Sequence, residues 1–394
     1  MKQKLLISLA LIVVIGLAIP RVWGECESPS SPATPIDSLA EAGQAEAGIA
    51  SHADTSATLS FLVVGDLMQH KRQFETARRP DGVYDYTECF AQVRDEISRA
   101  DVAIGNLETT FGGMPYTDYP QFSSPESYAS YIQQAGFDIL LTANNHSVDT
   151  RAKGLRRTIA VLDTLGLDHL GTYVNAEARR QQYPFLLEAK GFRIALLNFT
   201  YATNGIRVPE PFIVNDIDTA QIAADIERAR QMEVDAIIAF PHWGNEYQQR
   251  PSKPQTDLAE WMLSRGVTHV VGSHPHVAQP IEVRTDEATG QRHLVAYSLG
   301  NYVSYMVKPT TSGGITLRFT LARDKAGRCV LKDADYFLIW VDRPEMSGRR
   351  QFEVWPVACA DSLLRPAEKT KRDAFAANAR AILNAYNKGI SEAL

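Results

Sequence analysis

The stretch His269-Val270-Val271-Gly272-Ser273-His274-Pro275-His276 joins a short apolar run to a turn that carries two histidines. The run His269–Val271 has the length and valine content of a buried strand. Gly272 allows the backbone to turn sharply after it. His274 and His276 are two residues apart in a segment that is not helical, so their imidazoles can face different partners. The stretch predicts a strand that ends at a polar site.

The same arrangement occurs at five other places along the chain. Short apolar runs lead directly into clusters of carboxylate, amide or imidazole side chains. These clusters are Gly65-Asp66, Gly105-Asn106-Leu107-Glu108, Ala143-Asn144-Asn145-His146, Pro241-His242-Trp243-Gly244-Asn245-Glu246 and Ser298-Leu299-Gly300-Asn301. In open α/β sheets, ligands bind outside the carboxyl ends of the strands. Six such coincidences are hard to obtain from packing alone, so we predict one site assembled from several strand ends.

Between the clusters, the hydrophobic pattern predicts a layered α/β fold with a mostly parallel sheet core. Apolar runs rich in Val and Ile, without strict alternation, are typical of strands buried on both faces. Amphipathic stretches, such as the one that places Ile222, Ile226 and Ala229 on one face, predict helices between them. The predicted strands are Leu59–Val64, Val102–Ile104, Ile139–Thr142, Arg193–Phe199, Ala236–Phe240, His269–Val271, Leu294–Tyr297, Gly314–Leu321 and Val330–Val341.

The N-terminus differs from the rest of the 394-residue chain. Lys2 and Lys4 precede an uncharged run from Leu5 to Ile19, which at ~1.5 Å per residue is shorter than the ~30 Å hydrocarbon core and matches a secretory signal. We expect residues 1–24 to be a signal peptide or a signal-anchor, with lipid modification of Cys26 as a third alternative. In each case the protein would be exported, to the periplasm or cell surface, and an anchor would keep it at the membrane.

Composition limits what the remaining residues can be. Residues 25–57, rich in Ser, Pro, Ala and acidic residues, predict a flexible linker. The motifs indicate one large domain at 58–345, and 346–394 is expected to be a C-terminal helical extension.

Charge and cysteine content exclude two kinds of site. Lys and Arg (40) are fewer than Asp and Glu (46), which argues against a nucleic-acid partner. None of the 4 cysteines forms a CxxC pair, so a thiolate metal site is not expected; Cys329 and Cys359 are either disulfide-bonded or two isolated thiols.

The side chains at the strand ends are those that bind transition metals. Neutral imidazoles and carboxylates are common ligands of Mn, Fe and Zn. Asp66 or Glu108 is the candidate for a carboxylate between two cations, and two metals ~3.5–4 Å apart can activate water and bind a phosphoryl group. His269, inside a predicted strand, is expected to be structural. Residues 111–125 are expected either to overhang the site and shape substrate binding or to form a surface loop that aromatic contacts tie down.

Taken together, these motifs resemble the CapA-type poly-γ-glutamate capsule biosynthesis proteins, which are similar to calcineurin-like metallophosphoesterases. The resemblance covers about residues 59–305. It implies an α/β fold of the metallophosphoesterase type, a β-sandwich flanked by helices in α/β/β/α layers. The motifs that carry it are Gly65-Asp66-Leu67-Met68, Asn106-Leu107-Glu108, Ala143-Asn144-Asn145-His146 with Asp149 and Gly154, His242-Trp243-Gly244-Asn245-Glu246, Gly272-Ser273-His274-Pro275-His276 and Ser298-Leu299-Gly300-Asn301.

The resemblance also implies roles for individual residues. His146 is expected to be the general acid that protonates the leaving oxygen, and Glu108, or else Asn106, takes the place of the bridging acid. The implied catalytic residues are His146, Asp66 and Glu108. The implied ligands of one or two divalent ions (Mn, Fe or Zn) are Asp66, Glu108, Asn145, His242, His274 and His276. Residues implied to support the ligands or to contact substrate are Asn106, Glu246 and Asn301.

Two departures from the metallophosphoesterase pattern are visible. Asp66-Leu67-Met68 stands where Asp-x-His is usual, so one imidazole of the first metal site is missing. An Asn106-Leu107-Glu108 segment replaces the bridging aspartate. Both departures leave a single metal, or a vestigial site, as alternatives to two metals.

The resemblance implies a metal-dependent hydrolase of the phosphoesterase type, acting in the synthesis or export of an anionic capsule polymer such as poly-γ-glutamate. Its substrate would be the anionic polymer or a phosphoester, and its partners would be other membrane proteins of capsule synthesis. The alternative is a non-catalytic assembly or polymer-binding factor. A third hypothesis is an amide hydrolase or ligase-like activity on glutamyl chains.

Overall fold

Buried strands and amphipathic helices alternate from Thr58 onward in a computed structural model that describes residues 57–393. The expected signal or anchor at 1–24, the linker up to residue 56, and Cys26 lie outside the described residues. Across the described range, no helix combines the length and the apolar character needed to cross a bilayer.

An eight-stranded sheet carries the first half of the site. Its strands are β1 (Thr58–Leu67), β2 (Val102–Leu107), β3 (Ile139–Leu141), β4 (Asp168–Leu170), β13 (Asn301–Val303), β14 (Gly313–Arg323), β15 (Cys329–Asp342) and β16 (Glu353–Pro356). Strands β1 to β4 run parallel, and β13 pairs in parallel with the end of β1. Strands β14, β15 and β16 extend the other side as antiparallel neighbours. The carboxyl ends of the parallel strands therefore meet at one edge.

A six-stranded sheet carries the second half. Its strands are β6 (Phe185–Ala189), β7 (Phe192–Thr200), β9 (Ala236–His242), β10 (His269–Val271), β11 (Ile281–Thr285) and β12 (Arg292–Ala296). Strands β7, β9, β10 and β12 form a parallel centre, and β6 and β11 are antiparallel edges. A further short antiparallel pair consists of β5 (Thr172–Tyr173) and β8 (Ile213–Val214).

Helices cover both sheets. They are α1 (Lys71–Ala77), α2 (Arg94–Arg99), α3 (Ser127–Gln134), α4 (Arg151–Leu165), α5 (Ala176–Gln182), α6 (Thr219–Gln231), α7 (Lys253–Ser264), α8 (Pro344–Ser347) and α9 (Pro366–Tyr386), with a 3-10 turn at Asp361–Leu363.

Alternate residues of β1 face two different cores. Leu62 and Val64 pack in one cluster with residues of α1 to α4, such as Ile132. Phe61 and Val63 pack in the other with residues of the six-stranded sheet and of α6 and α7. The expected β-sandwich flanked by helices, in α/β/β/α layers, is confirmed.

Every predicted strand corresponds to an observed one, but several other observed strands were not predicted from the sequence. Strands β4 and β13 begin with the polar residues Asp168 and Asn301, unlike the equally short β3, and all five residues of β6 are at least partly exposed. No continuous apolar run therefore marks these strands in the sequence. Residues 346–394, expected to be a helical extension, contain α9 and also β16, which pairs with β15 in the main sheet. Cys329 and Cys359 are both free among the described residues. Of the two alternatives, a disulfide bond or two isolated thiols, the structure has the isolated thiols.

Strand register places the site residues in two rows. Asp66 at the end of β1 pairs with Asn106 on β2 and with Asn301 on β13, after a register shift in β1. In the other sheet, His242 at the end of β9 is bridged to Ser273, just beyond β10. Each row joins residues that are far apart in the chain, because parallel strands end at the same edge.

Gly65 is required where β1 approaches the segment that precedes β13. A Cβ atom at this position would lie 1.9 Å from the Gly300 carbonyl oxygen, which already accepts a 3.0 Å hydrogen bond from the Asp66 N–H. The backbone oxygen cannot swing aside as a side chain can, so this contact fixes the position of Asp66.

We predict that Gly65→Ala lowers the free energy of unfolding by about 3 kcal/mol or more, since it overpacks backbone against backbone. Gly166→Ala is the matched control: its Cβ would meet nothing within 4 Å, and only its left-handed conformation costs about 1 kcal/mol. Urea unfolding of both variants measures the difference. Equal losses would contradict the close approach at Gly65.

Candidate metal centre

The carboxylate of Glu108 lies at the centre of the site. Glu108 follows β2 and is completely buried. Its Oε2 accepts a hydrogen bond from Asn106 Nδ2 at 3.2 Å, whereas Oε1 has no hydrogen-bond partner among the described residues. Oε1 lies 3.7 Å from His276 Nε2 and 3.9 Å from His242 Nε2. Burying a carboxylate oxygen without a hydrogen-bond donor is energetically costly, and a bound cation would offset that cost.

Two groups of potential ligand atoms share Glu108. Asp66, Glu108 and His276 form one group, and Glu108, His242 and His274 form the other; within each group the atoms lie within 4.8 Å of one another. Glu108 is the one residue common to both. This is the arrangement required of a carboxylate that bridges two cations.

Hydrogen bonds fix the orientation of His276. Asn301 Nδ2 donates to the Thr311 carbonyl at 2.8 Å, which turns Asn301 Oδ1 towards His276 Nδ1 at 3.0 Å. Asp66 Oδ2 also lies 3.0 Å from Nδ1. Because both neighbours are acceptors, Nδ1 carries the proton, and Nε2 keeps its lone pair on the side of Glu108. Asp66 thus orients His276 here; its role as a metal ligand stays a prediction.

His242 is held between two polar groups. Its Nε2 lies 2.8 Å from Asn145 Oδ1, and its Nδ1 lies 3.0 Å from Ser273 Oγ. Asn145 Nδ2 donates to Asn204 Oδ1 at 3.2 Å, so the Asn145 oxygen is the atom that faces His242. Asn106 Nδ2, a donor, also lies 3.4 Å from Nδ1, so in this structure Nε2 carries the proton and donates it to Asn145. A cation would take the place of that proton, and His242 would then present Nε2 and Asn145 would present Oδ1 to it, while Nδ1 donates to Ser273.

His274 has the most constrained backbone at the site. Its φ is 104° and that of His276 is 58°, a region that residues other than glycine rarely adopt. The His274 Nδ1 atom is buried and has no hydrogen-bond partner among the described residues. Strain of this kind costs about 1–3 kcal/mol and is concentrated at functional sites.

The electrostatics of the site favour neutral imidazoles. Burial, reinforced by His276, lowers the pKa of His274 to about 3. Burial, followed by the neighbouring His274 and His276, holds the pKa of His242 well below its usual value. Burial, followed by the negative charge of Asp66, raises the pKa of Glu108 well above its usual value. A divalent cation would favour the ionised carboxylate and needs neutral imidazoles, so the residues present fit such an ion.

His146 belongs to neither ligand group. Its Nδ1 lies 2.7 Å from Asp149 Oδ2, and the same oxygen accepts a 2.7 Å hydrogen bond from the Phe122 N–H. The Phe122 ring packs against the imidazole with a centroid separation of 4.7 Å. Residues 111–125 therefore contact the site through Phe122, and Tyr116 ties the segment to Phe74 and Tyr84 by aromatic contacts. These contacts fit both expected arrangements.

The structure brings all the predicted site residues to the joint edge of the two sheets. Glu246 is exposed, unlike the predicted ligands. Its carboxylate forms a third group of potential ligand atoms with His274 and His276. Asn106 donates to Asp66 as well as to Glu108, at 2.9 Å and 3.2 Å. Trp243 is buried beside His242, and its indole N–H donates to the Tyr297 carbonyl at 2.9 Å. His269 accepts a hydrogen bond from the Leu294 N–H and is structural, as expected.

Sequence reasoning missed Tyr201 and Ser273. The Tyr201 ring lies against His274 with a centroid separation of 4.5 Å. Tyr201 directly follows β7, so the rule that polar clusters follow strand ends would have found it. Ser273 lies inside a recognised motif, but its partner His242 belongs to another strand.

Known proteins place the chain in a family. Residues 60–306 match the family described as "Bacterial capsule synthesis protein PGA_cap". The chain belongs to this family. The expected membership among CapA-type proteins is confirmed.

Two relatives of this PGA_cap protein carry the CapA name. The capsule biosynthesis protein CapA of Bacillus anthracis is 28% identical over 257 residues, which are 62% of this chain and 59% of the relative. The PGA biosynthesis protein CapA of Bacillus subtilis (strain 168) is 26% identical over 310 residues, 73% of this chain and 74% of the relative. The chain thus spans about three fifths of the length of the first relative.

Solved structures give a weaker likeness. The NAD nucleotidase NadN of Haemophilus influenzae has a TM-score of 0.46 and 11% identity, over 83% of this chain and 67% of that one. A 5′-nucleotidase from Candida albicans SC5314 has a TM-score of 0.40 and 11% identity, over 82% of this chain and 58% of that one. TM-scores this low do not establish a shared fold.

We predict that His274→Gly and His274→Ala both weaken binding of Mn²⁺ or Zn²⁺ by more than the roughly 10–100-fold that loss of a supporting hydrogen bond costs. Of the two metal-free variants, the glycine variant should be the more stable by about 1 kcal/mol, since only glycine adopts a positive φ without strain.

Isothermal titration with metal and urea unfolding without metal measure these two effects. Unchanged metal affinity would remove His274 from the ligands. An alanine variant more stable than the glycine variant would contradict backbone strain at this position.

Proposed function

We propose that this PGA_cap protein is a divalent-metal-dependent hydrolase of the phosphoesterase type that acts in the synthesis or export of a capsule polymer such as poly-γ-glutamate. One observation carries the proposal: Glu108 Oε1, which is buried and has no hydrogen-bond donor within residues 57–393, lies between two groups of potential ligand atoms. Membership of the capsule synthesis family and the names of the two CapA relatives support the cellular role.

One or two ions of Mn, Fe or Zn would polarise a phosphoryl oxygen and lower the pKa of bound water. Residues His242, His274, His276, Asn145, Asp66 and Glu108 would hold them. None of these residues is a lysine or an arginine, so a bound cation would supply the positive charge that the ligands themselves lack. The ligands are buried, which strengthens their electrostatic interactions.

His146 and Asp149 are suited to proton transfer. The Asp149 carboxylate holds Nδ1 of His146 in place, and this leaves Nε2 to deliver a proton to the leaving oxygen. Phe122 and Asp149 together prevent the imidazole from turning away. Removal of this imidazole should slow the chemical step and leave the metal in place, because His146 is outside both ligand groups.

A non-catalytic assembly or polymer-binding factor is the second candidate function. The observation that favours it is Met68, which is buried at the position where the metallophosphoesterase pattern has an imidazole. Its thioether is a poor ligand for Mn or Zn. The first metal position would then have fewer protein ligands than the second, and the site would hold one structural ion.

Export is part of the proposal. A signal peptide or signal-anchor at residues 1–24 would place the domain in the periplasm or at the cell surface. There it would meet the anionic polymer or a phosphoester, together with other membrane proteins of capsule synthesis.

We predict that the protein loaded with Mn, Fe or Zn hydrolyses phosphoesters and that His146→Gln lowers kcat by roughly 10²–10⁴-fold without loss of bound metal. His169→Gln is the matched control, because His169 forms a comparable pair with Asp163 at 3.1 Å outside the site. A phosphomonoester and phosphodiester panel, with elemental analysis of each variant, provides the measurement. Complete inertness of the metal-loaded protein would reject the hydrolase and favour the assembly role.

A further inference from the structure

A cavity of about 530 Å³ lies beside the candidate metal centre. This volume is within the ~300–1,000 Å³ range of small-molecule pockets. It is formed by the residues after β7, by the loop that follows His242, and by the first turns of α6 and α7. The lining residues used below are Tyr201, Thr219, Trp243, Asn245, Leu258 and Trp261.

Tyr201 and Trp243 connect the cavity to the metal centre. The Tyr201 ring has centroid separations of 4.5 Å from His274 and 6.5 Å from His242. Trp243 directly follows His242 in the chain. Tyr201 therefore belongs to both features, since its ring lines the cavity and also lies against His274 of the metal centre.

The cavity has a neutral lining. Among the described residues that line it there is no lysine or arginine. The acid of the lining, Asp257, is paired with Lys253 at 2.7 Å. A chain of carboxylates would find no compensating charge here, so the anionic polymer is a poor occupant.

The two helix ends at the cavity do not attract an anion either. Asp218 Oδ1 accepts the N–H groups of Ala220 and Gln221 at the start of α6, at 2.8 Å and 3.3 Å. At the start of α7, Gln255 Oε1 accepts the Ser252 N–H at 2.9 Å. These caps use the donors that would otherwise face a phosphate or carboxylate.

Flat apolar faces and small polar groups share the cavity. Tyr201 is 43% exposed, and it lines the cavity together with Trp261 and Leu258. Aromatic planes of this kind pack against rings, including the C–H faces of saturated ones. The Thr219 hydroxyl and the Asn245 amide can bond to hydroxyl groups at the edge of such a ring.

We propose that this cavity binds the uncharged, hydroxyl-bearing ring of a phosphate ester, either a glycosyl or a nucleoside unit, while the phosphate lies at the metal centre. The inference rests on the proposed function and narrows its substrate from phosphoesters in general to those that carry a neutral ring. Asn245 and Thr219 select the ring by its hydroxyl groups, and Tyr201 places it next to His274.

The test uses Thr219→Trp in the full-length protein. Thr219 is exposed at the start of α6, so an indole there fills the cavity from the solvent side without disturbing the core. Thr370→Trp, at an exposed position near the start of α9, is the matched control. Substrates are glucose 1-phosphate, adenosine monophosphate and glycerol phosphate; the first two distinguish a glycosyl from a nucleoside unit, and the third has no ring.

We expect the wild-type protein and Thr370→Trp to prefer one ring-bearing ester over glycerol phosphate by at least tenfold in kcat/KM. Thr219→Trp should lose that preference through a higher KM for the ring-bearing ester, whereas Thr370→Trp keeps it. Equal kcat/KM for the three esters in the wild-type protein, or a preference that survives Thr219→Trp, would overturn the inference and leave the phosphoesterase proposal intact.

A binding measurement separates the two proposals if no ester is hydrolysed. Saturation-transfer NMR with glucose and adenosine, which lack phosphate, reports on the cavity alone. Contact of one of them with the wild-type protein and with Thr370→Trp, lost in Thr219→Trp, would support the cavity assignment while the hydrolase fails. Absence of contact with both compounds, or contact that survives Thr219→Trp, would reject the cavity assignment.

Discussion

The burial of the Glu108 carboxylate between two imidazoles is the constraint on which the rest of the site depends. One of its oxygens is satisfied by Asn106, and the other is left without a donor. Burial and the nearby Asp66 make the ionised form costly without a cation. The surrounding backbone holds this arrangement in place. His274 and His276 adopt strained positive φ angles, and the close backbone contact at Gly65 leaves no room for a side chain.

The central strands could be predicted because each is an apolar run long enough to be recognised alone. The site residues could be predicted for a related reason, since parallel strands bring their carboxyl ends to one edge and each cluster follows a predicted strand. Strands β13 and β6 could not, because β13 begins with the polar Asn301 and every residue of β6 is at least partly exposed. The pairing of Asp66 with Asn301 depends on β13 and so was not visible in the sequence.

Contacts between the two sheets could not be predicted from the sequence either. His242 and Asn145 belong to different sheets, and only the way the sheets pack brings Nε2 within 2.8 Å of Oδ1. The sharing of Glu108 by two ligand groups has the same origin, since Asp66 comes from one sheet and His242 and His274 come from the other. The residue types alone left Asp66 and Glu108 as alternatives for a bridging acid, and the family resemblance implied Glu108 or else Asn106. In the structure Glu108 is the acid that belongs to both groups, and Asp66 is hydrogen-bonded to His276 and Asn106.

The metal centre and the neighbouring cavity have different physical characters. The former is a buried set of carboxylates and imidazoles suited to a cation and, through it, to a phosphate. The latter is neutral and partly aromatic. Together, the two proposals assign this capsule synthesis protein a small phosphorylated ring compound as substrate, rather than the polymer itself.

The position of bound metal tests the central claim most directly. Crystals of the protein prepared with manganese and measured at its absorption edge would show where the ions lie. The account predicts anomalous peaks on the two sides of the Glu108 carboxylate, one beside His276 and one beside His242 and His274. Absence of any peak at Glu108, with the imidazoles hydrogen-bonded only to protein and water, would contradict it.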